Sequence, residues 1–258
     1  MIAELAQQLW QARLDGTLVD VTNQEQPKNV DDAYAIQNEI TRLAASKTIG
    51  FKVGATSLAT QDALGLSDAI FGPVFEQHYH ANNSEIGCHA AQKVLLESEV
   101  IVTLGADLPP RAEPYTVDNA IAATAWIAPG FEIVAPRFNI PPSDNGNLVI
   151  ADSGLNLAVV VGPKTTDLGN IDLTQNPVTL FLNNEEAATG HSGLTVFIHP
   201  IGTVAWLANQ PRLGDRGLRA GDMIATGTCT GLSGVAAGVT ARADFGVLGE
   251  VSARFFAI

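Results

Sequence analysis

The chain has 258 residues, and 14 Lys and Arg against 27 Asp and Glu leave a net charge of −13 with His neutral. That excess opposes binding to nucleic acid or to an anionic membrane, and no basic cluster reverses it locally. With 46% apolar and only 16% charged residues, the composition describes a folded chain with a large core, of a length that one domain with a small appendage can hold.

From the N-terminus, Ile2, Leu5 and Leu9 recur at helical spacing, and Ala33, Ile36, Ile40 and Leu43 do so behind the cap-like pair Asp31-Asp32. A polar stretch over residues 22–28 separates the two. Beyond Ala45 the pattern turns strand-like in Ile49-Gly50-Phe51-Lys52-Val53-Gly54. Residues 1–46 are therefore expected to form an N-terminal helical region and residues 47–258 one further unit. A short helix at Leu58–Leu64 precedes a strand over 96–104, and Thr116 caps a helix expected over 117–127, stopped by Pro129. Strands follow over 132–134, 155–161 and 178–182, the last leading into the turn pair Asn183-Asn184. Pro200 suits the first turn of a helix that carries Val204 and Leu207 inward. Strands over 223–226, 240–243 and 247–255 close the sequence. Strands outnumber helices without a regular βαβ alternation, which is an α+β pattern.

The uncharged stretches 187–211 and 223–241 are long enough to span a bilayer, but their Gly, Ser, Thr, Asn and Pro residues suit buried strands and turns better. Such charge poverty points to sheets covered on both faces or by another subunit, and a homo-oligomer is expected. Cys88 and Cys229 form no Cys-x-x-Cys pattern, and the opening Met-Ile-Ala-Glu-Leu lacks a basic region ahead of an apolar one. A reducing cytoplasm fits both.

Glu97-Ser98-Glu99 stands inside an apolar strand, so its two carboxylates sit roughly 7 Å apart at Cα and share a face. An oxygen-only pair of that kind suits a hard divalent ion, while a solvated strand face would read the same way. Glu132, in Pro129-Gly130-Phe131-Glu132-Ile133-Val134, is either a third ligand or an acid paired with Arg137. Alternation puts Lys52 between Gly50 and Gly54 on one face, with room for an anionic ligand beside it, unless it lies on an exposed edge strand. His191 and His199 lack zinc spacing; His199 before Pro200 either lines a cavity or caps the helix. No dinucleotide, Walker or nucleophile-elbow pattern is present, so no nucleotide cofactor is expected.

Seven segments in order resemble the hydratase/decarboxylase branch of the fumarylacetoacetate hydrolase superfamily, the 2-keto-4-pentenoate hydratases and 4-oxalocrotonate decarboxylases. They are residues 49–57, Phe71-Gly72-Pro73-Val74, Glu97-Ser98-Glu99 through Leu104-Gly105, residues 129–134, Ala151-Asp152-Ser153, His199-Pro200 through Asn209, and residues 218–224. The resemblance implies a mixed β-roll with an N-terminal helical region. It implies Mg²⁺ or Mn²⁺ at Glu97, Glu99 and Glu132, Lys52 as the active-site lysine, and a small unsaturated 2-oxo acid as substrate, with Ile70, Ser153 and His199 beside it. It further implies that a decarboxylase of this kind can associate with a related hydratase.

Two positions depart from the family pattern. Ala135-Pro136 follows Glu132-Ile133-Val134 where an Asp and a small residue are usual, and Ile70 stands where hydratases place an Asp. An aliphatic side chain cannot activate water, so decarboxylation is expected over hydration unless Asp68, Glu76 or His78 serves as base. A non-catalytic metal-binding partner subunit is the alternative from another class, and it gains nothing from burying three acids.

Overall fold

Apolar residues at helical spacing put Leu5, Leu9, Ile36 and Ile40 on the buried sides of two N-terminal helices, α1 (Ile2–Asp15) and α2 (Val30–Ala44). The computed structural model describes residues 1–169 and 171–258. Gly16 ends α1 in the left-handed region at φ 68, and the His89 ring packs where a Cβ would stand. Asn29 caps α2 by accepting the Asp32 N–H at 2.8 Å, which moves Asp31 and Asp32 into the first turn, where their charge favours the helix dipole. The buried side chains of both helices join the same apolar cluster as the strands that follow.

Those strands are β1 (Thr48–Gly54), β2 (Ile70–Phe75), β3 (Tyr79–Ala81), β4 (Ser84–Cys88), β5 (Leu95–Leu104), β6 (Thr124–Val134), β7 (Asn156–Val161), β8 (Pro177–Leu182), β9 (Glu185–His191), β10 (Met223–Gly234), β11 (Thr240–Asp244) and β12 (Glu250–Ala257). Between them lie α3 (Leu58–Leu64), α4 (Val117–Ala123), α5 (Gly146–Ala151) and α6 (Pro200–Ala208). One sheet runs in the order β2-β1-β10-β5-β6-β7-β3 and the other β4-β12-β11-β8-β9. Both are mixed, with β1 and β10, β3 and β7, and β4 and β12 parallel. This is the α+β architecture expected from the sequence. Among the described residues no helix is long and apolar enough to cross a membrane.

The expected helix over 117–127 is cut short. It ends at Ala123 and β6 begins at Thr124, because Ile127, Phe131 and Ile133 gain full burial by pairing along β5. Pro129 sits inside that strand rather than ending a helix. Its carbonyl faces Gly162 beyond the last β6–β7 ladder pair, so the missing N–H breaks no ladder bond. The last strand starts three residues later than expected, after a short turn at Gly246–Leu248. The stretch from 187 opens in β9, an edge strand whose residues are half-exposed or exposed, not buried.

Ahead of β7 the chain makes three successive left-handed residues, Ser153 (φ 55), Gly154 (φ 63) and Leu155 (φ 64). Two are not glycine, so the turn is strained and needs outside support. Arg137, fully buried, supplies it: Nε donates to Asp152 Oδ1 at 2.8 Å, Nη2 to Asp152 O at 2.8 Å, and Nη1 to the carbonyls of Leu155 and Asn156. Gly72 of β2 passes so close that a Cβ there would lie 2.3 Å from Ser153 O. Arg137 thus pairs with Asp152 and not with Glu132. Removing one member of a buried ion pair leaves the other charge unmatched, so Arg137→Met should lower stability by about 3–5 kcal/mol in urea unfolding. A loss below about 1 kcal/mol would mean that the pair does not brace the turn.

Candidate metal centre

The period of two along β5 puts Glu97 and Glu99 on one face, and the antiparallel register sets Glu132 of β6 directly opposite Glu97. One carboxylate oxygen from each of the three lies within 4.8 Å of the others. Two oxygens bound to one ion at about 2.4 Å can be at most about 4.8 Å apart, so the trio can share a single hard cation. β10 lies between β5 and β1, and Lys52 reaches the cluster from β1. Its Nζ donates to Gly154 O at 2.8 Å and stands 3.2 Å from Glu132 Oε1. β1 has neighbours on both sides and Lys52 is 2% exposed, which excludes an edge-strand lysine.

Glu99 and Glu132 are both completely buried, and each has one oxygen anchored and one free. Glu99 Oε2 accepts the Gly227 N–H at 2.9 Å, and Glu132 Oε1 accepts Asn156 Nδ2 at 3.0 Å. Glu99 Oε1 and Glu132 Oε2 have no partner. Buried polar atoms of a native fold are nearly always satisfied, so two orphaned carboxylate oxygens on acids of one cluster fit a cation. With Lys52 the formal charge of the group is −2, which one divalent ion neutralises.

Burial, and then Glu132, push Glu97 up to about 7, and the same two effects raise Glu99 well above the usual carboxylate range. Burial pulls the Lys52 ammonium down, but Glu132, Glu97 and Glu99 together outweigh it and hold the group above an ordinary lysine. The cluster therefore resists having all three acids charged until a cation arrives.

A cavity of about 290 Å³ opens beside it, walled by Lys52, Glu97, Ile70, Val149, Leu194 and Leu232 among others. Ile70, 4% exposed, packs next to Gly54 and so close to Lys52. Ser153 and His199 do not line this cavity. Ser153 is buried in the left-handed turn with its Oγ unpartnered, and His199 Nδ1 accepts the Ile201 N–H at 3.0 Å as the cap of α6. Ala135-Pro136 does not disturb Glu132, whose place is set by the ladder with β5. The three neighbouring candidates for a base are turned elsewhere: Asp68 to Trp206 Nε1 and its own loop, Glu76 to solvent, and His78 to Arg13, beside which burial and that guanidinium push it down to about 3.

Sequence reasoning missed Asn156 and Gly227. An amide heading the apolar run Leu157-Ala158-Val159-Val160-Val161 was the available signal for the first. At Gly227, φ 105 and the Thr56 side chain 2.5 Å from a would-be Cβ exclude any other residue, which a sequence rich in glycine conceals.

No family model matches the chain. It is 32% identical to a 2-hydroxyhexa-2,4-dienoate hydratase of Comamonas testosteroni, over 90% of this chain and 89% of that protein. It is 30% identical to a 2-keto-4-pentenoate hydratase of Burkholderia vietnamiensis, over 98% and 97%. Its fold superposes on the 4-oxalocrotonate decarboxylase of Pseudomonas putida G7, solved with magnesium and adipate, with a TM-score of 0.88 at 28% identity, covering 99% of this chain and 97% of that one.

Glu99→Gln keeps the shape of the side chain and removes a ligand charge. Calorimetric affinity for Mg²⁺ and Mn²⁺ should fall by more than the roughly 10–100-fold that loss of a group merely supporting a ligand costs. Unchanged binding of both ions would place the site elsewhere.

Proposed function

Since the chain belongs to the 2-keto-4-pentenoate hydratase and 4-oxalocrotonate decarboxylase family of the fumarylacetoacetate hydrolase superfamily, we propose that its reaction is the decarboxylation of a small 2-oxo-3-enedioate. It is a metal-dependent lyase acting on a small unsaturated 2-oxo acid. The observation that carries the choice of reaction is the cavity wall. Among the described residues lining it, Lys52 and Glu97 are the only ionisable ones, and Ile70 stands in that wall where the family resemblance implies an Asp in hydratases. Hydration needs a base to take a proton from water, whereas decarboxylation needs an electron sink and one later proton.

Glu97, Glu99 and Glu132 would hold Mg²⁺ or Mn²⁺, which when bound would supply Lewis acidity for negative charge developing on the substrate's 2-oxygen. The magnesium bound by the related decarboxylase supports that assignment. The chain's own residues do the rest. The C5–C6 electron pair becomes the C4–C5 double bond, the C3–C4 π pair moves to C2–C3, the C2–O π pair passes to the 2-oxygen, CO₂ departs, and the resulting dienolate takes up one proton. Lys52 brings a positive charge and a transferable proton at Nζ to the cavity wall. Ile70 and Val149, both buried in the cavity wall, keep water from the departing carboxylate and favour neutral CO₂ over its anionic precursor. Two free, buried thiols, Cys88 and Cys229, support a cytoplasmic location.

The test supplies a 2-oxo-3-enedioate and a 2-hydroxypenta-2,4-dienoate to the same Mg²⁺-loaded preparation while ultraviolet absorbance and CO₂ are followed. Release of CO₂ from the first is expected, and Lys52→Met should lower that turnover by on the order of 10²-fold or more with the fold intact. Rapid water addition to the second compound without CO₂ from the first would assign hydration instead.

A further inference from the structure

We propose that Asn156 is a positioning residue for the ion centre, its side-chain amide fixing the Glu132 carboxylate so that Oε2 is the oxygen offered to the cation. The inference rests on reading Glu97, Glu99 and Glu132 as a divalent-ion site. Oε1 of Glu132 accepts Asn156 Nδ2 at 3.0 Å and stands 3.2 Å from the Lys52 ammonium, while Oε2 has no partner. Lys52 alone is a weak orienting group, because its ammonium is shared with Gly154 O and a point charge sets distance better than direction. The amide is directional. Asn156 begins β7 opposite Val134, two residues beyond Glu132 on the neighbouring strand, and is itself wholly buried.

Two features separate this role from ordinary packing. The main chain at residue 156 is already held by two guanidiniums, since its carbonyl accepts Arg13 Nη1 at 2.5 Å and Arg137 Nη1 at 3.0 Å. Those contacts do not involve the side chain. The side-chain Oδ1, by contrast, is buried without a partner, which lowers stability relative to an aliphatic group of the same volume. The donor on Nδ2 is the half of the amide that the site uses. Glu99 is oriented in the same way by the Gly227 N–H, a donor of the main chain. Outer donors of this kind set which oxygen a carboxylate presents to its metal.

Calorimetry with Mn²⁺ alone, without substrate, tests the assignment. Asn156→Ala should weaken Mn²⁺ binding about 10–100-fold. In a Glu132→Ala background the same substitution should change affinity by less than about two-fold, because the group it acts through is gone. Asn156→Leu fills the volume without a donor and serves if the alanine variant does not fold. Unchanged affinity in a folded variant, or an equal loss in both backgrounds, overturns the proposal, and so does failure of both variants to fold. Glu99→Gln measured in parallel separates two failures. If it weakens Mn²⁺ binding and Asn156→Ala does not, only the role of Asn156 falls; if it too has no effect, the ion site itself is misplaced.

Discussion

Three carboxylates are held together on one face of a buried sheet with one ammonium between them and the strained turn, and the surrounding structure is arranged around that concentration of like charge. Left alone, such a group would shed charge by taking up protons, as the upward displacement of Glu97 and Glu99 indicates. Lys52 offsets part of the repulsion, and a divalent ion offsets the rest. The ladder between β5 and β6 makes the closeness of Glu97 and Glu132 unavoidable, because a one-residue slip would send one of them to the opposite face. The acids are thus locked into contact by backbone pairing and not by their own attraction.

The support extends outward in a chain of contacts. Lys52 needs the Gly154 carbonyl, and Gly154 has no Cβ because one would lie 2.8 Å from Lys52 Cδ. That carbonyl is presented by a turn with Ser153 and Leu155 in the left-handed region, which the buried Arg137–Asp152 pair and the close passage of Gly72 hold in place. Burial raises Asp152 despite Arg137 beside it, which marks how completely the pair is withdrawn from water. Ion pairs in such places specify one arrangement more than they add stability.

This layout explains which parts of the molecule were legible in the sequence. Strand alternation is strict, so Glu97-Ser98-Glu99 and Gly50-Phe51-Lys52-Val53-Gly54 disclosed their shared faces directly. Glu132 was visible as an acid in an apolar segment, but nothing local could give its register against Glu97. Pro129 concealed the true length of β6, since a proline is compatible with a strand only where the neighbouring ladder has ended, a fact of the tertiary structure. Arg137 read as a partner for Glu132 because the two are close in sequence; its real partner, Asp152, arrives only through a turn whose positive φ values at Ser153 and Leu155 no residue type announces. His199 suited either a cavity or a cap, and the cap prevailed because its Nδ1 meets the open N–H of Ile201.

The central claim is that Glu97, Glu99 and Glu132 form one ion centre, and a crystal grown with Mn²⁺ and examined at the manganese absorption edge tests it most directly. A single strong anomalous peak is predicted in contact with one oxygen of each acid, at roughly the 2.0–2.6 Å spacing of hard cations, with Glu132 contributing Oε2. A peak at other residues, or none at these three under saturating Mn²⁺, would contradict it.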